Sequence, residues 1–414
     1  MKTIGYFFLL LSILVSGCSK NEPSRYAPIP AKEIRIGVLL ALSGSGFSSG
    51  ESAAVALELA RTDIQFFFES AGIQEKLVLD IVDTKTDTAE ALKQLAAFYD
   101  KGIRLVIGPY SSAELAHIKN FADSHGMLIV SPSSVAVSLA VPNDNIFRFV
   151  TSDVIQGKAM SKLLVEDKIK VVVPIIRNDV WGNDLIAATA GAFEKTGGIV
   201  QPPVKFEPGT VDFENVLDEL DNAVAVELEH HNPNDVAIYL LSFAEGTRIV
   251  AEAKKHANLN YVYWYGASAF AQNVSALNDT NAALFSYTHG LPCPLFGLDD
   301  AAKFKWEPLR ERIQSVTGRV PDVYSFSAYD ALWVLVKAYR SAGGNVSIDL
   351  LKSAFVYEAD NYYGVSGNTQ LDENGDRAFG NYDFWAIKSD TLGYAWKRVA
   401  RYNSLNGTLL RIIE

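Results

Sequence analysis

Between residues 34 and 265 the chain alternates short apolar runs with amphipathic stretches of helical period, and it does so in two separate series. The run 34–42 is dense in aliphatic residues and reads as a strand buried on both faces. Strands are expected again at 77–82, 105–107 and 128–130, with helices over 51–68, 88–101 and 112–124. In the second of these helices Leu92, Leu95, Ala96 and Tyr99 form one apolar stripe, and Gly102 supplies the stop. After Phe149 the pattern restarts: helix 154–166, strand 170–176, helix 183–195, strand 199–206, helix 212–227, strand 235–241, helix 245–257, strand 260–265. Aliphatic strands separated by amphipathic helices mean parallel sheets covered on both faces. Neither series is long enough to close a barrel. The fold class is therefore α/β, with two doubly wound parallel-sheet lobes, and in that class ligands sit beyond the carboxyl ends of the strands.

The N-terminus sets the compartment. Met1-Lys2-Thr3 is a short basic start, residues 4–15 are apolar or nearly so, and small residues lead into Cys18. Residues 1–17 read as a secretory signal peptide, too short to span a bilayer as a stable helix. Val15-Ser16-Gly17-Cys18 resembles the lipobox of bacterial lipoproteins, which implies cleavage before Cys18 and acyl chains that hold the protein to a membrane. Residues 18–33 carry three prolines and no apolar period, so they read as the lipidated Cys and a flexible tether. Such a chain spans about 20 Å on average and about 50 Å at full stretch.

What remains is long enough for two domains, and 49% hydrophobic residues can fill their cores. The formal charge of −11 becomes −12 when Lys2 leaves with the signal, a poor balance for binding nucleic acid or anionic lipid surfaces. Cys293 is the only other cysteine, so no internal disulfide can form with Cys18 lipidated; it reads as a small buried hydrophobe.

Several motifs fall at strand-to-helix junctions. Gly44-Ser45-Gly46-Phe47-Ser48-Ser49-Gly50 lies where a dinucleotide fingerprint would lie, but its third glycine comes one residue late and no acid follows at the expected distance. A glycine- and serine-rich loop lining a cleft is the better account. In Gly108-Pro109-Tyr110-Ser111-Ser112-Ala113-Glu114, Ser111 and Glu114 have capping-box spacing. The free amides at that helix start, with the Ser112 hydroxyl, suit a carboxylate or other anion. Ser131-Pro132-Ser133-Ser134 would bring more hydroxyls and carbonyls to the same edge. Trp181, opening a helix beside Asn178, Asp179 and Asn183, is either lobe packing or a lid stacked on ligand. Asp372, Asn374 and Asp376 have the first spacings of a calcium loop, yet Arg377 and Asp383 break the pattern, and Asn374-Gly375 reads as a hairpin turn. No histidine pair has zinc-ligand spacing on a helix, and no Gly-x-Ser-x-Gly follows a strand. Neither a metal, a cofactor nor an enzyme is indicated.

In order, Ile34-Arg35-Ile36-Gly37 leading to Leu42-Ser43-Gly44, Gly108-Pro109-Tyr110-Ser111-Ser112, Ile129-Val130-Ser131-Pro132, Phe147-Arg148 with Ser152-Asp153 and Gln156-Gly157, Ala328-Tyr329-Asp330-Ala331, and Leu371-Asp372-Glu373-Asn374-Gly375-Asp376 complete a set. Together they resemble the type I periplasmic binding proteins of the leucine/isoleucine/valine kind, the receptor lipoproteins of ABC importers. The resemblance implies a three-strand hinge crossed near residues 151, 275 and 355, with 34–150 plus 276–355 as lobe 1 and 151–275 plus 356–414 as lobe 2. It implies ligand contacts at Ser49, Ser112 with the Ala113 amide, the Ser133 carbonyl, Val135, Trp181, Ser242 and Ser268. Phe47, Trp181 and Phe243 would give apolar walls. Val135 stands where the family has a threonine, Ser268 where amino-acid receptors often put an acid facing the ammonium, and Trp181 and Ser49 replace tyrosines. A buried ammonium without an ionised partner is costly. The expected ligand therefore has an anionic or accepting group at Ser112 but no ammonium demanding an acid at 268, unless a local shift of the alignment lets Asp153, Asp179 or Asp184 supply the charge. The implied partners are a small-molecule ligand and an ABC permease in the cytoplasmic membrane, with the receptor a monomer. The alternative is an envelope lipoprotein that uses the same fold for regulation or sensing.

Overall fold

A computed structural model describes residues 32–412 apart from 345, 346 and 392. The signal peptide, Cys18 and nearly all of the tether lie outside the described residues. The first series forms β1 (Lys32–Leu40), α1 (Phe47–Ser70), β2 (Glu75–Asp83), α2 (Thr88–Asp100), β3 (Leu105–Ile107), α3 (Ser112–Ser124), β4 (Leu128–Ser131) and β5 (Ile146–Arg148). Its sheet has the order β2-β1-β3-β4-β5, parallel throughout. The two-residue period of a strand sends alternate side chains to opposite faces. Ile36, Val38 and Leu40 accordingly join one buried core, while Leu39, Val106 and Ile129 join another on the opposite face.

The second series forms α4 (Asp153–Glu166), β6 (Val171–Arg177), α5 (Val180–Phe193), β7 (Ile199–Val200), β8 (Val204–Phe206), α6 (Glu214–Leu228), β9 (Val236–Leu241), α7 (Gly246–Ala253) and β10 (Tyr263–Gly266). The strand expected at 199–206 is two strands. Pro202 and Pro203 lack amide donors, so β7 pairs with Val171–Val172 of β6, and β8 pairs farther along, at Ile175–Arg177. The sheet order is β10-β9-β6-β7, all parallel, and its strands again feed a core on each face.

The remaining chain is α8 (Val274–Asn278), α9 (Thr280–His289), β11 (Cys293–Gly297), α10 (Lys303–Thr317), α11 (Val323–Ser341), α12 (Ile348–Asp360), β12 (Tyr363–Gly364), β13 (Gly367–Asn368), β14 (Asn381–Asp390), β15 (Gly393–Asn403) and β16 (Thr408–Arg411). Two of the expected crossings fall elsewhere. Residues 276–297 pack with the second lobe, because Ala276, Ala282, Phe285 and Cys293 share a core with Trp264. α12 stays with the first lobe, its Phe355 ring 4.7 Å from Phe147 and 5.5 Å from Phe149. Val365 and Leu371 share that core. β11, β14, β15 and β16 form an antiparallel sheet that the reading of the sequence did not include.

The chain thus passes between lobes near residues 150, 297 and 378, and the three passages touch. A Cβ on Gly380 would lie 2.3 Å from the Phe296 ring and 2.9 Å from the Thr151 methyl. The Arg377 guanidinium stands 4.9 Å over the Phe296 ring and donates to the Phe149 carbonyl and to Ser366. Burial lowers its pKa to about 10. Beside it the buried Arg148 and Asp376 side chains form a two-pronged ion pair. The Asn374-Gly375 turn sits here: Asp372 Oδ1 accepts from the amides of Asn374 and Asp376 at 2.9 and 3.0 Å. Asp330 of α11 accepts from the Val365 and Ser366 amides, fixing the β12–β13 turn to the first lobe.

Candidate functional site

Both lobes present strand-to-helix loops to the space between them. The β1–α1 loop is held by Asp83, which accepts from the Leu42 and Ser43 amides at 2.9 and 3.1 Å and from the Ser43 hydroxyl at 2.6 Å. The loop must turn back tightly onto its strand, and a Cβ on Gly50 would lie 2.0 Å from the Ala41 carbonyl oxygen. The β6–α5 loop does the same: a Cβ on Gly182 would lie 2.1 Å from the Arg177 carbonyl oxygen. The two glycines have one role in the two lobes: they let a helix start close against the strand that feeds it.

Ser111 caps α3 by the reciprocal bond with Glu114. The first amides of a helix have no intrahelical acceptor, and Ser112 and Ala113 are the first two residues of α3. The hydroxyls of this edge are committed within the lobe. Ser112 Oγ accepts from the Val135 and Ala136 amides, both at 3.2 Å, and bonds the Ser134 hydroxyl at 2.9 Å. Ser131 and Ser133 donate to the Pro109 and Tyr110 carbonyls at 2.8 and 2.6 Å. These hydroxyls were expected to face a ligand; what they do is brace the β3–α3 and β4 loops against each other.

The lobes are in contact. Val180 of α5 packs against the first-lobe core that contains Leu39 and Ile118. Asp184 accepts from the Ser138 amide at 2.7 Å across the gap. Between the lobes lies a cavity of about 300 Å³. Phe47, Ser49, Ser112, Ser133, Val135, Trp181, Phe243 and Ser268 all line it. Trp181 is 3% exposed, and its ring lies 5.1 Å from that of Phe243. Phe243 is backed by the Arg177 guanidinium at 4.6 Å, which pairs with Asp179 and Glu245 at 2.7 and 2.8 Å. A larger groove of about 770 Å³ runs mainly along α4 and α5 of the second lobe. That groove is lined almost wholly by one lobe, whereas loops of both lobes, with serines from each and the rings of Phe47, Trp181 and Phe243, line the smaller cavity, which is the better candidate.

Three expected residues are not on the cavity wall. Ala113 is half-buried and does not line the cavity. Ser242 is fully buried, its hydroxyl against the start of α7. Asp153 is fully buried with both carboxyl oxygens unpartnered, and burial pushes its pKa well up, favouring the neutral acid despite Arg148. The cavity contains an acid and two phenols that the reading of the sequence missed, Asp322, Tyr110 and Tyr324. Asp322 caps α11 through the Ser325 amide and accepts from the Tyr110 hydroxyl at 3.0 Å. Only the N-cap position of Asp322 ahead of an apolar helix was a local signal for it. Cys293 is buried, and burial pushes its thiol pKa well up.

Two α/β lobes tied by three crossings and meeting over an aromatic-walled cavity have the layout of a ligand-binding protein. Among the described residues no group of His, Cys, Asp and Glu could hold a metal ion. The family described as "Receptor family ligand binding region" matches residues 53–390, and the chain belongs to it. The uncharacterised protein MJ1266 of Methanocaldococcus jannaschii is 27% identical over 420 residues, covering 97% of each chain. The Leu/Ile/Val-binding protein BraC3 of Rhizobium johnstonii is 26% identical over 195 residues, 45% of this chain and 51% of that one. The leucine-binding protein LivK of Thermotoga maritima superposes with a TM-score of 0.72 at 19% identity, over 91% of this chain and 99% of that one. The fold is that of the type I periplasmic binding proteins.

Proposed function

We propose that this chain is the extracytoplasmic receptor of an ABC importer, binding a small amino acid or related carboxylate or amide between its lobes. The observation that carries the reading is the cavity itself: a space between two lobes, lined by the start of α3 at Ser112 and walled by the rings of Phe47, Trp181 and Phe243. Its 300 Å³ equals about ten waters of liquid volume, at the small end of ligand pockets. The Ser112 and Ala113 amides take the anionic or accepting group, the Ser133 carbonyl and Ser49 add polar contacts, and Val135, Trp181, Phe243 and Ser268 enclose the rest. Phe47, 45% exposed at the mouth, covers the ligand. Acyl chains on Cys18 hold the receptor to the membrane beside its permease, and it works as a monomer. The names of BraC3 and LivK support this reading.

A thermal-shift screen of amino acids, aromatic acids, amides and polyols tests it. Ligand at a hundred times its Kd raises folded stability by about 2.7 kcal/mol. At least one class should stabilise the chain and reduce its radius of gyration in small-angle scattering. No stabilisation by any class, with an unchanged scattering profile, would refute the receptor reading.

A further inference from the structure

Asp322 is the one carboxylate on the cavity wall among the described residues. Its Oδ1 accepts from the amide and hydroxyl of Ser325 at 3.1 and 3.2 Å, and its Oδ2 accepts from Tyr110 at 3.0 Å. Burial raises its pKa, while the nearby Ser49 hydroxyl on α1 favours the ionised form. Every one of these donors is neutral. Asp322 as a residue is half-buried and lines the cavity, and its carboxylate forms no ion pair with another described residue.

The other acids near the cleft are engaged or sealed. Asp179 pairs with Arg177, Asp184 takes the Ser138 amide, and Asp153 has no access to the cavity. A buried carboxylate supported only by neutral donors is an uncompensated charge, and a cation placed against it recovers much of the desolvation penalty. We infer that Asp322, oriented by Tyr110, is a specificity-determining residue that selects a ligand carrying a protonated nitrogen. Tyr110 precedes Ser112 by two residues, so this acidic pole and the α3 amides are neighbours on one first-lobe wall. A ligand with both a cationic nitrogen and an anionic or carbonyl group spans them. The inference rests on the cavity being the solute site. The groups facing Asp322 are Tyr110 from the β3–α3 loop, Ser49 from α1, and Tyr324 and Ser325 from α11. The Arg319–Glu51 ion pair lies at the rim beyond Ser49.

Calorimetry on wild type, Asp322→Asn and Tyr110→Phe decides it, with leucine and phenylalanine paired against 4-methylpentanoate and 3-phenylpropanoate. Wild type should bind an amine at least tenfold more tightly than its deaminated partner. In Asp322→Asn that preference should collapse to near unity with an unchanged melting temperature, since Asn is as good an N-cap as Asp. Should that variant misfold, Tyr110→Phe carries the test. Losing one donor raises the carboxylate pKa, so amine affinity should fail at a higher pH than in wild type. An unshifted profile overturns the inference, as does an amine preference that survives Asp322→Asn. Binding confined to compounds without a protonated nitrogen overturns it and leaves the receptor reading standing. No binding by these probes or by the wider screen overturns both.

Discussion

Ser112→Ala should destabilise the first lobe before it touches any ligand. The side chain is 3% exposed, and its oxygen is the acceptor for the Val135 and Ala136 amides as well as a partner of Ser134. Alanine leaves two buried amides without an acceptor. An unsatisfied buried donor costs about 1–3 kcal/mol, and the adjoining cavity lets water relieve part of that, so about 2–3 kcal/mol is expected for the pair. For a lobe of this size that lowers the melting temperature by roughly 4–12 °C. Differential scanning calorimetry without ligand measures it. Ser133→Ala is the internal control: it removes a donor from the Tyr110 carbonyl, an acceptor that water can serve, and should cost less. If Ser112→Ala melts within about 1 °C of wild type while ligand affinity falls, the hydroxyl is a ligand donor and the bracing argument is wrong.

Trp181→Ala should weaken the best stabiliser from the screen by about 1–3 kcal/mol, mostly through a faster off-rate, because wall area is lost while the first lobe keeps its grip. Unchanged affinity with lowered stability would make Trp181 a packing residue only. Asp184→Ala removes the Ser138 bond across the cleft, worth about 1 kcal/mol, and should shift the ligand-free protein roughly fivefold toward open forms. Small-angle scattering should then give a larger radius of gyration, and an identical one would rule out a latch. Cys18→Ser should abolish acyl labelling of the secreted chain. Persistence of label on that variant would dispose of the lipobox.

The parallel strands were legible because burial on both faces leaves continuous aliphatic runs, as at Val171–Ile176. β14 and β15 were not, since their exposed edges mix Lys388, Lys397 and Arg398 among aromatics, though two runs rich in Tyr, Trp, Ile and Val around Gly393 were a usable hairpin signal. Lobe membership of α9 and α12 was opaque for a different reason. Each buries part of its surface, Ala282, Ala283 and Phe285 in α9 and Leu351, Phe355 and Ala359 in α12, and apolar residues in a helix do not say which core receives them. At the site, Trp181 and the β1–α1 loop reached the cavity because strand ends point there. Asp153 and Asp322 show the limit: each opens a helix, but tertiary packing seals one and exposes the other. No local pattern separates them.

The three crossings also bear on how such a chain is made. Arg148 finds Asp376 across 228 positions of sequence, Asp63 finds Arg312 across 249, and Glu75 finds Arg340 across 265. The first lobe is therefore split by the whole of the second lobe's parallel sheet and lacks α11 and α12 until late in synthesis. A nascent chain leaving the ribosome from its N-terminus lacks one flank of the first lobe's sheet, and long-range closure of this kind is slow. On the export reading proposed above, that delay is an advantage: the architecture that makes a hinge also postpones closure of the first lobe until its C-terminal helices arrive.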